Sequence, residues 1–152
     1  MADGLRLPLD FSPSSRVAAA PLIDAATAPA DVKQIFDDLG SFYAMDEPPV
    51  VFRYMARDPV YLQSYWTATR AAFVDRHLDR RTKEVLALAA SLAAKSDYGV
   101  DFHLREARRL GLSEQGVTEA IEVVQCFSVV TKIADALQLQ PDFDPRAGHG
   151  EA

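Results

Sequence analysis

Residues 81–111 read RTKEVLALAASLAAKSDYGVDFHLREARRLG, and this stretch decides the fold of the chain. Its first half is rich in leucine and alanine, and Asp79 stands before it as an N-cap, so we predict a helix that other helices can approach closely. Ser96 and Asp97 interrupt the pattern, because their side chains compete for backbone hydrogen bonds. A second helix then runs to a stop at Gly111. The stretch therefore predicts two successive helices with a cap at Ser96.

The sequence on both sides of this stretch also carries helix start and stop signals. These signals are Pro29 and Gly40 for a first helix, Asp58-Pro59 and Phe73 for a longer one, and Ser113 for the last and longest. Apolar residues recur at spacings of three and four, and one such stripe (Leu62, Tyr65, Trp66, Thr69, Phe73) indicates core packing. No window alternates with period two, so we predict an all-α bundle of about six helices.

Both ends of the chain lack helical periodicity. Residues 1–28 hold three prolines and many small residues, which indicates an extended N-terminal arm. Residues 139–152 hold two prolines and two glycines, which indicates a flexible tail. The helical domain is thus expected over residues 29–138.

Composition excludes several classes of function. The chain has 152 residues, of which 49% are hydrophobic, and a net charge of −6 without a basic run, so we expect neither a nucleic-acid nor a membrane partner. No secretory signal is visible, and we expect a cytoplasmic protein. The single cysteine, Cys126, excludes an internal disulfide or a cysteine zinc cluster. The histidines lack metal-ligand spacing, and we expect no metal and no cofactor.

The stretch at residues 81–111 is preceded by YLQSYW (61–66) and followed by GLSEQGVTEAIEVV (111–124). Together these segments resemble the alkylhydroperoxidase (AhpD-like) and carboxymuconolactone decarboxylase family. The resemblance covers about residues 29–138. It implies an AhpD-like, all-helical fold that assembles as a homotrimer or homohexamer. The aromatic side chains of Tyr61, Tyr65 and Trp66 and the long last helix offer apolar surface for such an assembly.

The resemblance also assigns roles to individual residues. The peroxidase branch reads Cys-x-Tyr-Cys-x-x-x-His after an RTKE helix, so Glu84 falls on its proton-relay glutamate and His103 on its relay histidine. Tyr98 falls on the aromatic residue between the cysteines, while Ser96 and Gly99 replace the two cysteines themselves. A serine hydroxyl is too weak an acid to replace a thiolate. The chain is thus expected to be a divergent member without the Cys-x-x-Cys pair and without dithiol peroxidase activity.

The decarboxylase branch is not matched in full either. Its glutamate stands four residues before the histidine, where this chain has Gly99, and the nearest carboxylate is Asp101.

Glu84 and His103 are the candidate catalytic residues, because a carboxylate that orients an imidazole forms a general acid–base pair. Their levels on two reversed helices differ by about five residues, or roughly 7 Å, which long side chains or a water can span. The alternative is that both make structural hydrogen bonds. Tyr98, Asp101 and Ser96 are expected to bind substrate, although Ser96 also suits a plain helix cap.

Three functional hypotheses follow. The first is a non-redox enzyme that performs acid–base chemistry on a small organic acid or lactone. The second is a binding or scaffold protein that has lost catalysis. The third is a peroxidase that uses Cys126, which we otherwise expect to be a small buried thiol. His77 is expected in a solvated turn, and His149 in the tail without a role.

Overall fold

The computed structural model describes residues 21–143, which form six α-helices. The helices are α1 (Ala30–Tyr43), α2 (Val50–Met55), α3 (Pro59–Phe73), α4 (Arg80–Ala93), α5 (Asp97–Arg109) and α6 (Glu114–Ala136). The described residues contain no strand, which confirms the all-α prediction. The expected arm and tail lie largely outside them, at residues 1–20 and 144–152. Contacts divide the chain into two units, residues 1–67 and 68–152, and the division falls within α3.

Side-chain caps fix where four of the helices begin, and all four were predicted. Each capping oxygen accepts a hydrogen bond from a backbone N–H three residues later, which satisfies one of the unpaired donors of the first turn. The bonds run from Tyr61 to Asp58 (3.0 Å), Thr82 to Asp79 (2.7 Å), Gly99 to Ser96 (3.2 Å) and Gly116 to Ser113 (3.0 Å). The predicted stop at Gly111 is also present, with a φ of +90° that suits glycine.

The predicted end of α1 at Gly40 is wrong, because α1 continues to the buried Tyr43, and its C-cap is Ala44, whose φ is 49°. The backbone N–H groups of Ala44 and Met45 both donate to the carbonyl of Gly40. A Cβ on Gly40 would lie 2.9 Å from the Met45 carbonyl oxygen. Gly40 therefore permits the close return of the chain after the helix and does not itself terminate it.

The first unit has an aromatic and aliphatic core. Its buried side chains are Val32, Ile35, Phe36, Leu39, Tyr43, Phe52, Ala56, Leu62 and Trp66. Trp66 Nε1 donates a 2.7 Å hydrogen bond to Asp38 Oδ2, which satisfies the indole N–H inside this core. Tyr65 is 42% exposed, so the prediction that the α3 stripe is core throughout is wrong at this position.

The described part of the second unit, residues 68–143, buries few apolar side chains. Its buried residues are Leu88, Ala107 and Val117 together with two glutamates, Glu84 and Glu106. The 23-residue helix α6 contributes only Val117 to this set. Within residues 21–143, none of the helices combines the length and apolarity needed to cross a bilayer.

Candidate functional site

Glu84 and His103 are in direct contact. Glu84 lies on α4 and His103 on α5, and the cap at Ser96 begins the second of these helices. The distance from Glu84 Oε2 to His103 Nδ1 is 2.8 Å, so the bridging water that the sequence allowed is not needed. The Glu84 side chain is fully buried, whereas the His103 side chain is 20% exposed. One ring nitrogen is thus held from inside the protein while the ring keeps access to the surface.

Two phenylalanines fix the plane of the His103 ring. Phe73 stacks on it at a centroid distance of 5.9 Å and an interplanar angle of 5°. Phe102 meets it edge-on at 5.3 Å and 90°. None of the described residues hydrogen-bonds the second ring nitrogen, Nε2. These contacts restrict rotation of the imidazole, and none of them uses Nε2.

The contact with Glu84 determines which tautomer the neutral ring adopts. A carboxylate accepts hydrogen bonds and does not donate them, so we assign the proton to His103 Nδ1 from this network. Nε2 then carries the lone pair. This arrangement is the one in which a histidine can take a proton through Nε2.

A cluster of charged residues adjoins Glu84, and the sequence analysis missed it. Arg80 Nε lies 3.7 Å from Glu84 Oε1, and Arg80 Nη2 lies 3.2 Å from Glu106 Oε2. Arg109 Nη2 donates a 2.6 Å hydrogen bond to the same oxygen, and Arg105 donates to Glu106 Oε1. The hydrogen bonds from Arg109 to Glu106 raise the pKa of the Arg109 guanidinium above its usual value.

Sequence spacing contained part of the signal for this cluster. Arg80 and Glu84 are four residues apart, and Glu106 and Arg109 are three apart, which are the spacings of neighbours on one helix face. Such pairs are usually solvated, and only the packing of α4 on α5 shows that both carboxylates are fully buried.

The three residues expected to bind substrate, Tyr98, Asp101 and Ser96, lie in different surroundings. The ring of Tyr98 is 47% exposed and stacks on Phe102 at 6.4 Å and 9°, and Phe102 also contacts the His103 ring. Asp101 is exposed on α5, two residues from His103, and residues at that spacing do not share a helix face. The hydroxyl of Ser96 caps α5, as the plain capping alternative required.

The position of Gly99 is sterically closed. A Cβ there would lie 2.5 Å from Ser91 Oγ and 3.0 Å from Ser91 Cβ. Ser91 Oγ itself donates a 2.8 Å hydrogen bond to the Ala87 carbonyl. A side chain at position 99 would therefore require Ser91 to move.

The remaining reactive residues lie apart from the pair. Cys126 is exposed on α6, so the expectation of a buried thiol is wrong; α6 packs mainly through the face that carries Val117. His77 is exposed between α3 and α4, as predicted, and His149 lies outside the described residues. Within residues 21–143, no three histidine, cysteine or acidic side chains are grouped so that they could hold a metal ion.

Comparison with known proteins agrees with the fold and the expected family. The model of the carboxymuconolactone decarboxylase family matches residues 61–140. The structure is similar to the crystal structure of the alkylhydroperoxidase AhpD core from Rhodospirillum rubrum. The TM-score is 0.77 at 27% identity, covering 83% of this chain and 95% of that one.

A curated relative matches over a shorter range. The chain is 30% identical over 60 residues to the "uncharacterized protein 4 in cox locus" of Paracoccus denitrificans, which is 40% of this chain and 54% of that protein. The matched segment thus spans about half of the length of this relative.

Proposed function

Since the chain belongs to the carboxymuconolactone decarboxylase family, we propose that it is a non-redox enzyme that performs acid–base chemistry on a small organic acid or lactone. The observation that carries the proposal is the 2.8 Å contact between His103 Nδ1 and the buried Glu84 carboxylate. A histidine oriented in this way can act as a general acid–base group.

In this proposal His103 Nε2 moves the proton. As the neutral ring it takes a proton from a carbon or a hydroxyl of the substrate, and as the imidazolium it returns one. A decarboxylation starts from the imidazolium: the bond to the carboxylate carbon breaks, carbon dioxide leaves, and the carbon left behind takes the proton of Nε2, which returns the ring to the neutral Nδ1–H form. Glu84 does not take up the proton; it keeps the ring in position and stabilises the imidazolium.

The cysteine content supports a non-redox reaction. Peroxide reduction by a dithiol needs a second thiol to resolve the oxidised one, and the chain has one cysteine. The hydroxyl of Ser96 is occupied as a helix cap, and Gly99 has no functional group.

The test is a turnover assay with defined probes. Carboxymuconolactone, after which the family is named, is the first probe, followed by a panel of small lactones and unsaturated or oxo acids. Loss of the probe and release of carbon dioxide are measured for the wild type, Glu84→Gln and His103→Gln. His77→Gln is the matched control, because it removes an exposed histidine away from the pair.

We expect turnover of at least one probe, with a loss of roughly 10²–10⁴-fold in His103→Gln. His77→Gln should leave the rate unchanged. Turnover that survives in both Glu84→Gln and His103→Gln would overturn the proposal. Binding of a probe without turnover would favour the alternative, a binding or scaffold protein that has lost catalysis.

We also propose that the chain assembles as a homotrimer or homohexamer. Support comes from α6 and from Leu137, the residue that caps its C-terminal end. Exposed apolar side chains stand at positions 123, 127, 130 and 137. When Ala134 is included, the spacing along this face alternates between four and three residues. Val123, Phe127, Val130 and Leu137 are between 62% and 68% exposed in the single chain. A stripe of this period is typical of a helix that packs on another helix.

A further inference from the structure

Arg80 lies within ion-pair distance of two fully buried carboxylates. Its Nε is 3.7 Å from Glu84 Oε1, and its Nη2 is 3.2 Å from Glu106 Oε2. The Arg80 side chain is 15% exposed. Glu84 uses Oε2 to hold His103, while its buried Oε1 has no hydrogen-bond partner among the described residues. The oxygen that faces Arg80 is therefore the one that His103 does not use.

The charge of Glu84 requires compensation. A fully buried carboxylate loses its hydration, and a neutral imidazole that donates one hydrogen bond does not supply an opposite charge. The guanidinium of Arg80 supplies a positive charge beside this carboxylate. At the observed distance its attraction acts on Oε1 without displacing His103 from Oε2.

Glu106 holds Arg80 in this place. It is fully buried and accepts hydrogen bonds from Arg105 and Arg109 in addition to the contact with Arg80. Arg80 and Glu84 lie on α4, while Glu106 lies on α5 beside His103. The contact between Arg80 and Glu106 thus connects the two helices that carry the acid–base pair.

We propose that Arg80 is a positioning residue for His103, acting through Glu84. It stabilises the buried carboxylate and keeps Oε2 directed at Nδ1, and in this way it sets the Nδ1–H tautomer that leaves the Nε2 lone pair free. The inference rests on the proposed function, because the tautomer has a consequence only if Nε2 exchanges a proton with a substrate.

The test reads the tautomer directly and needs no substrate. Heteronuclear NMR of protein labelled in its histidine rings distinguishes Nδ1–H from Nε2–H in the neutral state. The signals of His103 are assigned by their loss in His103→Gln. The spectra are compared for the wild type, Arg80→Gln, Arg80→Lys and Glu84→Leu. Arg81→Gln is the matched control, since it removes the adjacent, exposed arginine of the same helix.

We expect the Nδ1–H form in the wild type and in Arg81→Gln, and its loss in favour of Nε2–H in Arg80→Gln and in Glu84→Leu, whose side chain cannot accept a hydrogen bond. If Arg80→Gln does not fold, Arg80→Lys replaces it. A single ammonium cannot reach both carboxylates as the guanidinium does, so a smaller loss of the Nδ1–H form is expected there.

The outcomes separate the two proposals. A wild-type tautomer in the folded Arg80 variant, together with an altered one in Glu84→Leu, would overturn the role of Arg80 and leave the acid–base pair intact. A wild-type tautomer in Glu84→Leu would remove the basis of the proposed function itself.

Discussion

Arg109 Nη2 donates a 2.6 Å hydrogen bond to Oε2 of the fully buried Glu106. Arg105 and Arg80 contact the same carboxylate, so three guanidinium groups surround one negative charge. Glu106→Gln keeps the shape of the side chain but leaves these cations without their counter-charge. Removing one partner of a buried ion pair costs about 3–5 kcal/mol when the other partner stays buried. The three arginine side chains are 15%, 42% and 31% exposed, so water can solvate them in part, and we expect a loss of about 3 kcal/mol or less in the free energy of unfolding.

Urea unfolding of the wild type and Glu106→Gln measures this loss. Glu114→Gln is the control, because it breaks an arginine–glutamate pair of 2.7 Å between exposed side chains, Arg108 and Glu114. Exposed pairs contribute little, so this variant should unfold at nearly the wild-type urea concentration. If Glu106→Gln and Glu114→Gln lost the same free energy of unfolding, burial of the Glu106 carboxylate would not explain its contribution to stability.

The N-cap of α4 gives a prediction for pH. The hydrogen bond from the Thr82 backbone N–H lowers the pKa of Asp79 below its ordinary value. A group with a lowered folded-state pKa stabilises the fold above its unfolded pKa, and the stabilisation is lost as pH falls through the folded pKa. The free energy of unfolding should therefore decrease on acidification in this window.

Asp79→Asn isolates this contribution. Asparagine accepts the same hydrogen bond but does not titrate there, so helix capping is retained and its pH dependence is removed. Chemical unfolding is measured across an acidic pH series. The decrease in the free energy of unfolding on acidification should be smaller in Asp79→Asn than in the wild type. An identical pH dependence in both proteins would show that Asp79 does not contribute.

Gly99 and Ser91 are predicted to be energetically coupled. Alanine is the better helix former by about 1 kcal/mol, but overpacking costs about 1–3 kcal/mol, and a Cβ on residue 99 would lie 2.5 Å from Ser91 Oγ. We expect Gly99→Ala to lower the free energy of unfolding by about 1 kcal/mol. The loss should be smaller in the Ser91→Ala background, where Oγ is absent.

A double-mutant cycle from chemical unfolding measures this coupling. Ser128→Ala is the matched control, because Ser128 Oγ makes the same kind of hydrogen bond to a carbonyl four residues earlier, on α6. Gly99→Ala should be additive with Ser128→Ala and non-additive with Ser91→Ala. Additivity with both serine variants would mean that Ser91 does not restrict position 99.

Local chemistry explains which features the sequence predicted correctly. The caps at Asp58, Asp79, Ser96 and Ser113 depend on atoms within three residues, so the sequence contained nearly all the information about them. The end of α1 was misplaced at Gly40, because glycine serves there for a close approach of Met45.

Features that depend on packing were harder to predict from the sequence. Glu106 appears in the sequence as one charged residue among arginines, and only the packing of α4 on α5 makes it buried. Cys126 was expected to be buried because its neighbours are apolar, yet those neighbours are themselves exposed in the single chain. An apolar helix surface indicates that other residues pack against it, but it does not indicate whether those residues belong to the same chain or to another.

The exposed stripe of α6 gives a prediction for assembly. Phe127→Glu places a charge in the centre of the stripe, where burial against another helix would be unfavourable. Sedimentation at micromolar concentration should show a trimer or hexamer for the wild type and smaller species for Phe127→Glu. Gln125→Glu is the control, since it adds the same charge at an exposed position outside the stripe. A stable wild-type monomer would contradict the proposed assembly.

Cys126 gives the last prediction, which concerns redox chemistry. Its thiol is exposed in the single chain, but a single oxidation to the sulfenic acid leaves no second thiol in the chain to form a disulfide. Purified protein should therefore show no dithiol-dependent turnover of hydroperoxides above the rate of Cys126→Ser. The assay follows peroxide consumption in the presence of a dithiol reductant. Turnover that is abolished by Cys126→Ser would support a peroxidase that uses this residue, and turnover that persists would mean that peroxide reduction here needs no thiol.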